Sequence, residues 1–213
     1  MRERSLAIAL ALALLPACST SDPEGIPTPT DIPLRASTDT ASGIHVLAMR
    51  TGWVAIKEPH WRFRPPAFLV VPRIFLSREW HAWLPNISYA VVAGDDVIVV
   101  DAGAALHISN PAYMACDRRN QFFYQRNLRF SVRAEDTVDA QLSQVGIDPR
   151  SVTTLVITHF HADHTGRIDA FPRARVLTGR GNWPTHVGAV PCTLPAGFRP
   201  EFPRMADGPF GAF

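Results

Sequence analysis

Four side chains able to bind a metal fall within six positions in the segment Thr158-His159-Phe160-His161-Ala162-Asp163-His164-Thr165-Gly166. In an extended chain His159 and His161 are two apart, so both imidazoles point to one side and can share an ion. A helix would separate them by about 200°, which excludes a helical H-E-x-x-H arrangement. Asp163 and His164 follow where the chain turns and can face a second ion nearby. Zinc, a borderline-soft ion, suits a mixture of imidazole and carboxylate. The competing reading is a polar loop that happens to be rich in His. It offers no reason to gather neutral imidazoles at the mouth of a strand.

That strand is residues 152–158 (VTTLVIT), an apolar, β-branched run that delivers its end into the cluster. Before it, residues 136–146 read as a helix. Glu135 and Asp136 favour its positive end, Val138, Leu142 and Val145 line one face, and Gly146 stops it. Residues 87–92 and 97–100 form a hairpin around Gly94-Asp95-Asp96, and its second strand ends in Asp101-Ala102-Gly103. Residues 44–56 read as an opening strand or a hairpin about Thr51-Gly52. Residues 59–86, rich in Pro, Trp and Arg, read as loops crossing a face. Residues 104–134 look irregular or weakly helical, with aromatic and basic residues interleaved (RRNQFFYQRNLRF). They are read either as a nucleic-acid contact or as a surface insertion whose aromatics cover the core or a pocket. The second is favoured, because 21 basic residues are offset by 19 acidic ones and no basic stripe emerges. Trp80, Trp83, Phe122, Phe123 and Tyr124 either line an acyl pocket or pack in the ordinary way.

With 213 residues, 46% of them hydrophobic, the chain can build one substantial core. Its start is a targeting segment: Arg2 and Arg4 precede an apolar run at 6–15, shorter than the roughly 20 residues a membrane span needs. Leu15-Pro16-Ala17-Cys18 resembles a bacterial lipobox, which implies a lipid on Cys18 and a place in the cell envelope, anchored or periplasmic. Pro16 departs from the usual small residue, so ordinary cleavage or an uncleaved anchor stand as alternatives. The expected organisation is a signal peptide at 1–17, a flexible Pro-rich tether at 18–40, and one domain at 41–213. Contact with a membrane is expected only through the anchor. In an oxidising envelope Cys116 and Cys192 either pair or stay as half-buried thiols.

His-x-His-x-Asp-His at a strand end resembles the signature of the metallo-β-lactamase superfamily. The resemblance implies an α/β (α+β) fold, the αββα sandwich built of two similar halves. By it, His159 and His161 would hold one zinc, and Asp163 and His164 a second, giving two ions in the intact protein. Val99-Val100-Asp101-Ala102-Gly103 is similar to the family's Asp-x-Gly motif, which would place Asp101 beneath the metals as a brace for the ligand loop; a turn- or helix-capping Asp is the alternative. Phe160 and Ala162 would pack back into the core, and Gly166 would let the helix start approach the loop closely. The order of elements over about 44–180 is similar to N-acyl-homoserine lactonases. It implies that hydroxide held by zinc attacks the carbonyl of a small-molecule lactone or ester. Asp163 would be the catalytic group that orients the nucleophile and accepts a proton. A glyoxalase II-like thioesterase or a β-lactamase would use similar ligands. The 49 residues after His164 contain no Gly-His-Thr/Ser-x-Gly segment of the kind the second half supplies, and His186 is the only later histidine, in a Pro-containing loop. The expectation is therefore roughly the first half of the sandwich: one mixed sheet, one or two helices, and an exposed face. From a different class, the alternative is an inactive, truncated metal-binding envelope lipoprotein.

Overall fold

The computed structural model describes residues 35–39, 43–62, 66–183 and 188–203. Cys18 and His186, and with them the expected lipidation site and late histidine, lie outside the described residues.

The runs of β-branched residues assemble into one mixed sheet. Strands β1 (Arg35–Asp39), β2 (Ile44–Ile56), β3 (Leu84–Ala93) and β4 (Asp96–Val100) pair antiparallel in sequence order. Strands β6 (Thr154–Ile157) and β7 (Arg175–Thr178) then add parallel to β4. The long β2 carries β1 on its first half and β5 (Leu128–Ser131) on its second. Thr51-Gly52 does not turn a hairpin. It lies where the β2–β3 register shifts, so it is a bulge in one long strand. Residues 35–39, expected as tether, are β1, so the sheet begins earlier than composition suggests. The expected hairpin is β3–β4, closing through Ala93↔Asp96.

Alternation along the strands divides the sheet into two faces. Val97, Val99, Leu155 and Ile157 are buried together with Met49, Ala90, Val138, Leu142 and Phe160. On the opposite face Ile98, Val100, Val156 and Leu177 are only half-buried, and Tyr89 is exposed. One side of the sheet is therefore packed and the other is apolar but incompletely covered.

Helices are more numerous than expected. Residues 58–76 form α1 (Glu58–Arg62) and α2 (Ala67–Leu76). Pro66 occupies the N-cap of α2, where a preset φ and a missing N–H cost little, and the helix accommodates Pro72 within it. Residues 118–127, expected as weak structure, are a regular helix α3 (Arg118–Asn127). The Asp117 side chain caps it by accepting from the Asn120 N–H at 3.1 Å. The helix expected at 136–146 is shorter, α4 (Val138–Gln144), preceded by a single 3-10 turn at Ala134–Asp136. Val138 and Leu142 are buried, but Val145 lies past the helix end and is 43% exposed. Asp136 does not act on the helix end alone: it accepts from the Arg133 side chain and backbone and lies 3.5 Å from Arg50. Arg167 grips Asp139 through two hydrogen bonds of 2.9 and 2.8 Å, tying α4 to the segment after the His cluster.

Cys116 and Cys192 are joined in a disulfide with Cα atoms 6.2 Å apart, across 76 positions of sequence. Closing a loop of that length should stabilise the fold by about 4 kcal/mol in the chain-entropy account. Thermal unfolding with and without reductant tests this: a clear fall in Tm on reduction is expected, reproduced by replacing both cysteines with alanine.

Candidate metal centre

The end of β6 and the end of β4 lie side by side, because the two strands are parallel neighbours. Both chains leave the sheet at the same level, β4 into Asp101 and β6 into Thr158. Asp101 has a left-handed backbone (φ +61°), unusual for a residue with a side chain. Its N–H still donates to the Val156 carbonyl at 2.8 Å, and its carboxylate turns into the protein, where only 6% of the residue is exposed. There it accepts from the Thr158 N–H at 2.8 Å, from the Thr158 hydroxyl, and from His164 Nδ1 at 2.9 Å.

These contacts fix ring chemistry as well as position. A carboxylate only accepts, so His164 carries its proton on Nδ1 and presents Nε2, which lies 3.7 Å from Asp163 Oδ2. The Thr158 hydroxyl spends its hydrogen on Asp101. It therefore accepts from His159 Nδ1 at 3.0 Å, which makes Nε2 the lone-pair nitrogen of that ring too. The His159 ring centroid is 4.5 Å from that of His161 and 4.1 Å from that of His164, so three imidazoles share one wall.

The backbone of the cluster is equally constrained. His161 leads into a short helix α5 (Ala162–Thr165) that carries Asp163 and His164. The Ala102 N–H donates to the His164 carbonyl at 2.8 Å, and the Gly166 N–H to the Gly103 carbonyl at 2.7 Å. The close approach permitted by Gly166 falls at the end of α5, not at its start: a Cβ there would lie 2.0 Å from the Ala105 nitrogen. Gly103 (φ +66°) presses against Thr51 on the other side of the same loop. Phe160 and Ala162 are buried as expected, Phe160 beside Trp183 and Phe198.

Several supports had no signal in the sequence. Asn86 in β3 donates to the Asp163 carbonyl at 2.7 Å. The Tyr124 hydroxyl donates to the Gly188 carbonyl at 2.9 Å and accepts from the Ala162 N–H at 3.3 Å. Asn120 donates to the Ala189 carbonyl at 2.9 Å, and Ala189 forms a bridge with His161. Helix α3, joined through the disulfide to residue 192, thus holds the cluster from behind. Only a structure relates Tyr124 or Asn120 to His161, because they are tens of residues apart.

Electrostatics separate the rings. Burial, together with the neighbouring His164 and His161, lowers the His159 pKa to about 4, so the ring is neutral at pH 7. Burial also disfavours charge on His164, but the Asp101 hydrogen bond and the Asp163 and Asp101 carboxylates outweigh it and raise that pKa. His60 of α1 is shifted down by burial and by His161. Burial, reinforced by Asp163, pushes the Tyr124 phenol up, so it remains a neutral donor and acceptor.

Beside His161 and Asp163 opens a cavity of about 730 Å³, walled mainly by apolar side chains including Val54, Ile74, Phe75 and Phe123. Of the five aromatics singled out from sequence, Phe123 and Tyr124 line it. Trp80 does not: it is sandwiched between Lys57 and Arg129. Phe122 points outward, 60% exposed, and Trp83 is half-buried.

The donor set fits zinc in kind: imidazoles of which His159 is neutral at pH 7, a carboxylate, and a second carboxylate bracing the His164 ring from behind. It does not by itself close a shell. Among the described residues no three His, Cys, Asp or Glu side chains converge tightly enough to enclose an ion. The described residues provide one wall of a metal centre.

A strand-end His/Asp cluster on a mixed sheet defines an α/β protein with one wall of a candidate metal centre. The chain matches the metallo-beta-lactamase superfamily over residues 82–194, more than half its length, and belongs to that family. It is 25% identical over 104 residues to the N-acyl homoserine lactonase AiiB of Agrobacterium fabrum, covering 49% of this chain and 36% of that protein. It is 34% identical over 83 residues to the N-acyl homoserine lactonase AttM of Azorhizobium caulinodans, covering 38% and 29%. Among solved structures, an N-acyl homoserine lactone hydrolase with N-hexanoyl-L-homoserine at its catalytic metal centre aligns at TM-score 0.48 and 17% identity, over 71% of this chain and 51% of that one. AidC, a dizinc quorum-quenching lactonase, aligns at 0.44 and 11%, over 70% and 45%. The chain spans about a third of the length of the curated relatives and about half that of the solved structures.

The ring assignment is testable without any metal. At about pH 9, above the ordinary His range, nitrogen-15 shifts of the imidazoles should report the Nδ1–H form for His159 and His164. Asp101→Ala should return His164 to a tautomer mixture, and Thr158→Val should do the same for His159. Unchanged ring shifts in both variants would refute the relay.

Proposed function

We propose that this chain contributes part of the zinc centre of a lactonase-like hydrolase acting on a small-molecule lactone or ester. The observation that carries the reading is the Asp101–Thr158 relay, which engages Nδ1 of His159 and of His164 and leaves Nε2 of these neighbouring rings for a ligand. Its support is membership of the metallo-beta-lactamase superfamily and the likeness to relatives that are N-acyl homoserine lactonases.

His159 and His161 would hold one zinc, and Asp163 and His164 a second. Zinc bound there supplies positive charge that polarises an ester carbonyl and activates water. The chain's own residues do the rest. Thr158 and Asp101 keep the His159 and His164 rings in their ligating tautomers. Asn86 fixes the backbone of Asp163, whose carboxylate would orient the attacking water and receive its proton. The adjacent cavity has mainly apolar walls, fit to exclude water around an acyl group, and its volume lies in the range usual for small-molecule sites. The expected lipid on Cys18 would keep this chemistry in the envelope.

One observation favours a second reading. The described side chains do not converge on an ion, as would suit a metal-binding envelope protein without turnover. Zinc content and lactone ring-opening decide between them, measured on this chain and on any longer protein that contains it. The hydrolase reading expects bound zinc, ring-opening of an N-acyl homoserine lactone, and a fall of about 10–100-fold in zinc affinity for Asp101→Ala. Weak zinc binding with no turnover on any ester would favour the second reading. No zinc in either protein would end both.

A further inference from the structure

Helix α2 is apolar on every side but for Arg73, a composition that ordinarily means a buried helix. Ile74 faces the protein and is 2% exposed, and Val70 and Phe75 are partly covered. On the outward side Phe68, Leu69, Pro72 and Leu76 form a stripe at helical spacing, with Phe68 75% and Leu76 79% exposed. Neighbouring elements extend the stripe. Trp61 of α1 is 56% exposed, and Phe122 of α3 stacks on Phe75 with ring centroids 5.7 Å apart.

The charges around this apolar patch are mixed but predominantly basic, with Arg62 paired to Glu58 at 2.8 Å. Phe122 stands at the centre of the outer face of α3, with Arg118 and Arg119 one turn before it and Arg126 one turn after. Arg73 flanks the α2 stripe, and Arg62 lies at the end of α1. The described residues of 58–79 and 117–127 carry six arginines, against the acids Glu58, Glu79 and Asp117. The chain as a whole is nearly neutral, so this excess is local.

We infer that the α1–α2–α3 face is an interfacial docking surface for an anionic phospholipid membrane. The apolar stripe enters the acyl boundary and the arginines meet the phosphate head groups. Apolar side chains ringed by arginine are the pattern of helices that lie in that interface. A nucleic-acid surface would answer the arginines but leave Phe68 and Leu76 in water. A second copy of the same face would set arginine against arginine.

Chain direction agrees. β1 enters the sheet at Arg35, paired with Ala48 and antiparallel to β2, so the chain arrives from the end where β2 runs on to Ile56 and α1. From Ala48 to Ile56 is roughly 26 Å. The 16 residues 19–34 between Cys18 and Arg35 reach roughly 55 Å when extended. A lipid on Cys18 and the α2 face can therefore meet one bilayer together. The cavity beside His161 is lined by Val70, Val71, Ile74 and Phe75 of the same helix, so its apolar wall lies against the proposed membrane contact. The inference does not depend on the metal chemistry.

The test uses the whole chain, so that its N-terminal segment is common to every variant. Flotation with phosphatidylglycerol vesicles and with phosphatidylcholine vesicles gives the partition coefficients. Phe68→Ser with Leu76→Ser should lower partitioning onto anionic vesicles about tenfold or more. Arg118→Glu with Arg126→Glu should lower it by a similar factor on anionic but not neutral vesicles, and added salt should mimic that loss. Phe68, Leu76 and Arg118 are exposed and Arg126 is half-buried, and circular dichroism checks that the variants fold. As a local readout, brominated lipid should quench fluorescence in the native chain more than in Trp61→Phe. Equal partitioning of all variants would overturn the inference and assign binding to the N-terminal segment alone. So would a preference for DNA over vesicles, or an apolar-stripe phenotype seen only as loss of a dimer.

Discussion

Asp101 sits where two parallel strands leave the sheet, and the organisation of the cluster follows from what its carboxylate accepts. Its backbone adopts a conformation that costs a non-glycine residue on the order of 1–2 kcal/mol. The return is a buried carboxylate whose acceptor sites are filled by Thr158 and His164. A polar group so placed must be satisfied, since an unpaired buried carboxylate is far more costly than the twist that positions it. The left-handed turn, the adjoining Gly103 and the close approach at Gly166 therefore form one solution. They bring a β4 loop and the β6 exit close enough for a single side chain to tie them together.

That tie acts from below the cluster, and α3 acts from behind. Tyr124 and Asn120 hold the carbonyls of Gly188 and Ala189, and Tyr124 also accepts from the first turn of α5. The imidazoles are thus mounted on backbone fixed from two directions, which is what preorganised ligands require. The wall they form is open on one side. The sheet too has one packed face and one that is half-covered and apolar.

The local parts of this arrangement were legible in the sequence. The period-two spacing of His159 and His161, the β3–β4 hairpin and the apolar run of β6 each depend on neighbours along the chain. Asp101 was legible only through family resemblance, because nothing in residues 99–103 alone points to Thr158. Tyr124, Asn120 and Asn86 were not legible as supports, since their partners lie 38 to 77 positions away. Proline density hid α2: Pro66 and Pro72 argue for loop when counted, yet one of them sits at the N-cap, where proline does no harm. The helix α3 was obscured because its only buried side chains are Tyr124 and Asn127, too few to produce a periodic apolar face. Val145 shows the converse error. It continued the spacing of Val138 and Leu142 in sequence, but the helix ends before reaching it.

The Cys116–Cys192 bond makes a covalent ring of everything between its ends. That ring contains α3, α4, β6, β7 and all four side chains of the cluster, while Asp101 lies outside it. A protease that cut the backbone once anywhere within the ring would release no fragment: both new ends would stay attached through sulfur. Such damage would add no more than one water to the intact mass and would separate into pieces only when a thiol was added, and nicked molecules would keep their imidazoles beside the Asp101 loop in the meantime.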